Sequence, residues 1–83
     1  MTNKHSLIKK IIYRSTHRGT KEMDLLLGEF VKKNINILSS LDLADLNNLL
    51  NMEDNILTDW LINNNQKKIP LNRTSKMLKN FKL

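Results

Sequence analysis

Apolar residues recur along this chain at intervals of three and four almost from end to end, the spacing that gathers side chains on one side of an α-helix. The first stretch carries Leu7, Ile8, Ile11 and Ile12 on one side with Tyr13 at its edge, Ser6 as N-cap and an end near His17. Gly19 stands where a left-handed residue would terminate that helix. Thr20 is placed to cap a second helix through about Asn34. Glu22 and Asp24 fall in its first turn, where the helix dipole favours acids. Its inward residues are Met23, Leu26, Leu27, Phe30 and Val31. A third helix starts at Ser39 or Ser40, with Asp42 in its first turn and Leu43, Leu46, Leu49 and Leu50 inward. Glu53 and Asp54 open a short fourth helix faced by Ile56, Leu57, Trp60 and Leu61. Residues 63–68 and Pro70 read as a loop, and a last helix from about Asn72 buries Met77, Leu78 and Phe81.

No segment alternates as a strand would, and no repeat or linker divides the chain. The expected fold is all-α, a compact bundle of about five short helices forming a single monomeric domain over residues 1–83. Leu26, Phe30, Leu46, Leu50, Leu57, Trp60 and Leu78 should be buried in it. A chain of this length hides only roughly 60–65% of the surface that its unfolded form exposes. That volume leaves no room for a lidded catalytic cleft or a dinucleotide-binding domain.

Charge adds a pattern that hydropathy does not contain. Residues 1–21 carry six Lys or Arg and no acid, and residues 60–83 again carry six bases and no acid. All eight acids lie in residues 22–59, against two lysines. Basic ends and an acidic middle give the net charge of +6. Such segments either attract one another when packed or meet an anionic partner: nucleic acid, a phosphate-bearing cofactor or an acidic protein surface. Residues 1–19, basic and rich in hydroxyls, also look like a mitochondrial transit peptide. Its removal would leave about sixty residues, near the lower limit for an unaided core, so the segment reads as the first helix. Apolar runs reach only three residues, as at residues 25–27, so no membrane span and no secretory signal are expected.

The chemistry that the chain excludes is broad. Without cysteine there is no disulfide, thiol catalysis or Cys-based zinc site. His5 and His17 lie twelve apart with no carboxylate between them, which is not a metal-ligand spacing. No nucleophile–base pattern occurs, and the two glycines, Gly19 and Gly28, are nine apart and make no phosphate loop. The carboxylate pairs Asp42/Asp45 and Glu53/Asp54 sit at helix starts, where capping accounts for them. No enzyme activity, catalytic residue, metal or tightly bound cofactor is expected.

One segment stands out. Residues 18–24 read Arg-Gly-Thr-Lys-Glu-Met-Asp and crowd opposite charges around a glycine between two helices. An arginine fork, free backbone amides and a carboxylate are expected to point outward there, ready to engage a polar partner group. Arg18-Gly19-x-x-Glu22, followed by Asp24-Leu25-Leu26-Leu27-Gly28-x-Phe30, resembles the signature of the succinate dehydrogenase assembly factors that promote covalent flavin attachment. Leu49-Leu50-x-x-Glu53-Asp54 and then Asp59-Trp60-Leu61 is similar to that family's second segment at the right distance. The likeness covers about residues 7–81. Ile56 stands where an acid is usual, Thr58 where an apolar or aromatic residue is usual, and Thr20 replaces a methionine common in some branches.

The resemblance implies a cytoplasmic bacterial binding module that engages the flavoprotein subunit of succinate dehydrogenase and assists formation of its histidyl–FAD bond. Fumarate reductase is a related client. The bonding histidine belongs to the client, so the assembly factor holds no FAD itself. Its partner-binding residues map onto Arg18, Gly19 and Glu22, with Asp24 adjacent; Tyr13 and His17 either flank that interface or lie on a solvent-facing helix side, which explains them equally well. Trp60 reads as core. Lys67, Lys68, Arg73, Lys76, Lys79 and Lys82 read as a solvated face able to attract an acidic client. The rival reading from charge is a small basic helical nucleic-acid-binding protein. The basic segments lack interleaved aromatics and a recognition helix, so only weak, salt-sensitive, sequence-independent binding is expected. A third reading, a membrane-surface helix over residues 4–18, requires Leu7, Ile8, Ile11 and Ile12 to lie exposed.

Overall fold

A computed structural model describes residues 4–83 and contains five helices: α1 Lys4–Thr16, α2 Lys21–Asn34, α3 Ser40–Leu50, α4 Asp54–Asn63 and α5 Arg73–Asn80. There is no strand among the described residues, and the all-α bundle matches the helical spacing of the sequence. The chief packing pairs are α1 with α2, α1 with α3, and α3 with α5.

Each helix start shows how the chain sets its own boundaries. Thr20 takes an extended backbone and its hydroxyl accepts the Met23 amide at 3.2 Å, capping α2. Ser39 and Asp42 form a reciprocal capping box at α3, and Asn72 and Ser75 form another at α5. The Asp42 carboxylate is also 3.2 Å from the Arg73 guanidinium, and its main-chain carbonyl accepts the Thr74 hydroxyl at 3.3 Å. The α5 start is thereby fastened to the α3 start. Arg73 and Asp42 are therefore not merely surface charge and cap. Ser6 lies inside α1 rather than before it, because the helix already includes Lys4.

The core gathers Ile11, Met23, Leu27, Phe30, Val31, Leu43, Leu46, Leu49, Leu50, Leu57, Trp60 and Leu78, each nearly or fully excluded from water. Trp60 is wholly buried and its indole N–H donates to Gln66 at 3.2 Å. Leu26 departs from expectation and is only half-buried. Consecutive helical residues point about 100° apart, so Leu25, Leu26 and Leu27 cannot share one face, and Leu27 takes the inward direction.

Ile12 is likewise 46% exposed. The contact face of α1 runs instead through Ile11 and Ser15, four apart, and the buried Ser15 hydroxyl is satisfied by donating to the Ile12 carbonyl at 2.8 Å. With Ile11 buried and Leu7 and Ile8 packed against the core, α1 is not a free membrane-surface helix. Two inward loop residues, Leu38 and Ile69, escaped the helical reading because they belong to no periodic run. Phe81, just beyond α5, meets Phe30 edge-on with ring centroids 5.4 Å apart.

Candidate partner-binding corner

The turn between α1 and α2 consists of residues 17–20, and it is held from inside the molecule. Arg18 is the centre of that hold. Its side chain is 8% exposed, so the guanidinium points inward and not, as the sequence suggested, toward a partner. Nη1 donates to the carbonyls of Leu50 at 2.8 Å and Arg14 at 3.3 Å, and Nη2 donates to Met52 at 3.0 Å. Leu50 ends α3, whose last carbonyls have no partner within the helix. A fixed positive fork at that negative helix end supplies both hydrogen bonds and favourable charge.

Asp54 completes the hold from α4. Its Oδ1 lies 2.6 Å from Arg18 Nη2, close enough for an ion pair although its angles do not make a good hydrogen bond. Its Oδ2 accepts the Gly19 amide at 2.9 Å. Capping does not explain this carboxylate: Glu53 occupies the N-cap position of α4 without a side-chain cap bond, and Asp54 reaches across to the turn. Asp24, from the first turn of α2, accepts the Arg18 amide. Two carboxylates from different helices thus grip two successive amides of one turn.

Gly19 has no positive φ; among the described residues only Asn64, at the end of α4, is left-handed (φ 63°). The expectation of a left-handed Gly19 is therefore corrected. What favours glycine here is close approach: an added Cβ would stand 3.0 Å from Asp54 Oδ2, so the carboxylate would have to shift to admit a side chain.

Around this hold, Glu22 and His17 face solvent. Glu22 is exposed in the first turn of α2, as expected from its place beside the helix dipole. His17 is exposed; its ring stacks on Tyr13 with centroids 3.9 Å apart, and its Nδ1 is 2.8 Å from the Tyr13 carbonyl oxygen. Beside the corner an open groove of about 440 Å³ runs between α1 and α2, with Ile12, Leu25 and Asp24 among its lining residues. The structure thus brings Arg18, Gly19 and Asp24 into one bonded unit and leaves Glu22 and His17 presented outside it. Asp54 is the member that sequence reasoning missed. The sequence signals were a Glu53-Asp54 doublet at a helix start, where one residue suffices to cap, and the place of that doublet in the second segment of the family resemblance.

The C-terminal bases divide as well. Lys67, Lys68, Lys76 and Lys82 are exposed, whereas Lys79 donates to the carbonyls of Trp60 at 3.1 Å and Leu61 at 3.4 Å and to the Asn64 side chain. Lys79 therefore closes the end of α4. Among the described residues no group of His, Asp and Glu could hold a metal ion, and no helix is long and apolar enough to cross a membrane.

Comparison with known proteins agrees with the motif. The family model described as flavinator of succinate dehydrogenase matches residues 9–82. The chain belongs to this family. It is 43% identical over 53 residues, 64% of its length, to the FAD assembly factor SdhE of Acetobacter pasteurianus. It is 38% identical over 64 residues, 77% of its length, to the mitochondrial succinate dehydrogenase assembly factor 2 of Arabidopsis thaliana. With the protein of the same name from Dictyostelium discoideum it shares 43% identity over 56 residues, 68% of its length. These matches cover 49%, 34% and 40% of the respective relatives, so the chain spans half their length or less. No solved structure matches. Within the family frame, Arg18 is the inner part of the motif, Gly19 is bonded through its amide yet exposed, and Glu22 is the outer, presented part.

Proposed function

We propose that this protein binds the flavoprotein subunit of succinate dehydrogenase in the bacterial cytoplasm and promotes its covalent FAD attachment, with no turnover of its own. The observation that carries this reading is the family match over residues 9–82, which includes the whole corner built by Arg18, Gly19, Glu22, Asp24 and Asp54. In it, the client supplies the histidine that bonds to FAD, and this protein holds neither flavin nor metal. Its contribution is to fix the client's flavin domain in a geometry that favours bond formation. The fumarate reductase flavoprotein is a second client of the same chemistry.

The division of the corner supports specific roles. Glu22 and His17 offer polar contacts, and the exposed Gly19 lets the client backbone approach closely. Ile12 and Leu25, 46% and 55% exposed on one groove, add apolar area of the kind that a partner covers. Arg18 and Asp24 serve from within.

The test is reconstitution. Purified apo-flavoprotein subunit, FAD and this protein are mixed, and covalent flavin is read as fluorescence of the denatured client band. Addition of the protein should raise covalent loading, and Glu22→Ala should largely abolish the increase. Equal loading with and without the protein overturns the reading. Tight, sequence-selective DNA binding at physiological salt would replace it with the nucleic-acid reading.

A further inference from the structure

We infer that Asp54 is a positioning residue of the corner: its carboxylate locks Arg18 and Gly19 in the turn and thereby sets where Glu22 stands. This rests on the proposed function, in which Glu22 meets the client.

Three observations converge on it. Asp54 Oδ2 accepts the Gly19 amide at 2.9 Å, and Oδ1 lies 2.6 Å from the Arg18 guanidinium, so one carboxylate grips both the main chain and the side chain of the turn. The guanidinium is buried and bonded to the carbonyls of Leu50 and Met52 as well as to that of Arg14, which anchors the turn to the α3–α4 connection in addition to its own hairpin. An added Cβ at Gly19 would press on the same Oδ2 at 3.0 Å, so the turn and the carboxylate are closely fitted to one another.

The consequence follows from chain geometry. Glu22 lies three residues beyond Gly19, in the first turn of a helix whose cap, Thr20, is the next residue. Fixing Gly19 therefore fixes the start of α2 and the position of Glu22 relative to α3 and α4. Asp54 itself need not touch the client. Displacing a contact group by an ångström is enough to lose much of its effect on a bound reaction partner.

A double-mutant cycle tests this. Affinity for the immobilised apo-flavoprotein subunit is measured for the unaltered protein, Asp54→Asn, Glu22→Ala and the double variant, with thermal midpoints recorded alongside. Asp54→Asn should weaken binding about tenfold in the unaltered background and less than about twofold once Glu22 is gone. Leu78→Ala, which opens the core at α5, should lower the midpoint at least as far yet leave affinity unchanged at a temperature where the protein is folded. Asp54→Glu, which keeps the charge, enters the same cycle if Asp54→Asn does not fold. Losses that multiply in the double variant, or unaltered binding by the Asp54 variants, overturn the inference while the proposed function stands. If the unaltered protein neither binds the subunit nor raises its flavin loading, both fall together.

Discussion

An added Cβ on Gly19 would stand 3.0 Å from Oδ2 of Asp54, the atom that accepts the Gly19 amide hydrogen bond. The two residues are thirty-five apart in sequence, and the contact disfavours a side chain at Gly19 without any left-handed backbone. Gly19→Ala should therefore destabilise by about 1–3 kcal/mol through loss of a hydrogen bond to a charged acceptor. In an Asp54→Ala background the same change should cost clearly less. Urea midpoints of the four proteins measure the difference, and an equal cost in both backgrounds would refute the crowding argument.

Arg18 is bonded too heavily to be an ordinary surface arginine. Arg18→Ala leaves the carbonyls of Leu50 and Met52 without their donor and Asp54 without its ion-pair partner, and should cost about 2–4 kcal/mol. Arg18→Lys should recover only part of this, because one ammonium cannot reproduce the planar fork. Chemical denaturation of both variants checks the order Ala below Lys below Arg.

Glu22 behaves oppositely. It is exposed at the start of α2, so Glu22→Ala should cost only about 0.3–1 kcal/mol through the dipole interaction. Covalent flavin loading of the client should nevertheless fall sharply. A variant that unfolds at growth temperature, or that loads the client normally, contradicts the division between bonded and presented halves.

Two lysines on α5 separate a structural charge from a solvated one. Lys79→Met keeps the apolar stem but removes the donor to the Trp60 and Leu61 carbonyls, and should lower stability by about 0.5–1.5 kcal/mol. Lys76→Ala, at an exposed position, should change neither stability nor client loading. Thermal unfolding of the pair decides it.

Asp59 provides the pH-dependent feature. Hydrogen bonds from the Asn63 and Asn65 side chains hold its carboxyl below the ordinary value of 3.8. A carboxyl depressed in the folded state stabilises above its unfolded pKa, and that contribution disappears as pH falls through the folded value. Carboxyl ¹³C shifts followed through an acid titration should place Asp59 below 3.8, and Asn65→Ala should move it back upward. An unchanged titration in Asn65→Ala would remove the assigned cause.

The sequence by itself determined the helices, because their signals are local. Apolar spacing of three and four, the caps Thr20, Ser39 and Asn72, and the short loops act within a turn or two of the chain. It also determined the family, since Arg18-Gly19-x-x-Glu22 and the later Glu53-Asp54 and Trp60 stand in order along one chain. Which of two neighbouring apolar residues turns inward, as with Ile11 over Ile12 or Leu27 over Leu26, was settled by the direction from which other helices pack. The same holds for charge. Sequence shows that Arg18, Asp24 and Asp54 are charged, but only the close approach of α4 to the α1–α2 turn decides that both carboxylates bond to that turn while Glu22 remains in water. A carboxylate thirty-five residues from its amide partner leaves no periodic trace in the chain, because the bond depends on where two helix ends meet and not on the residues between them.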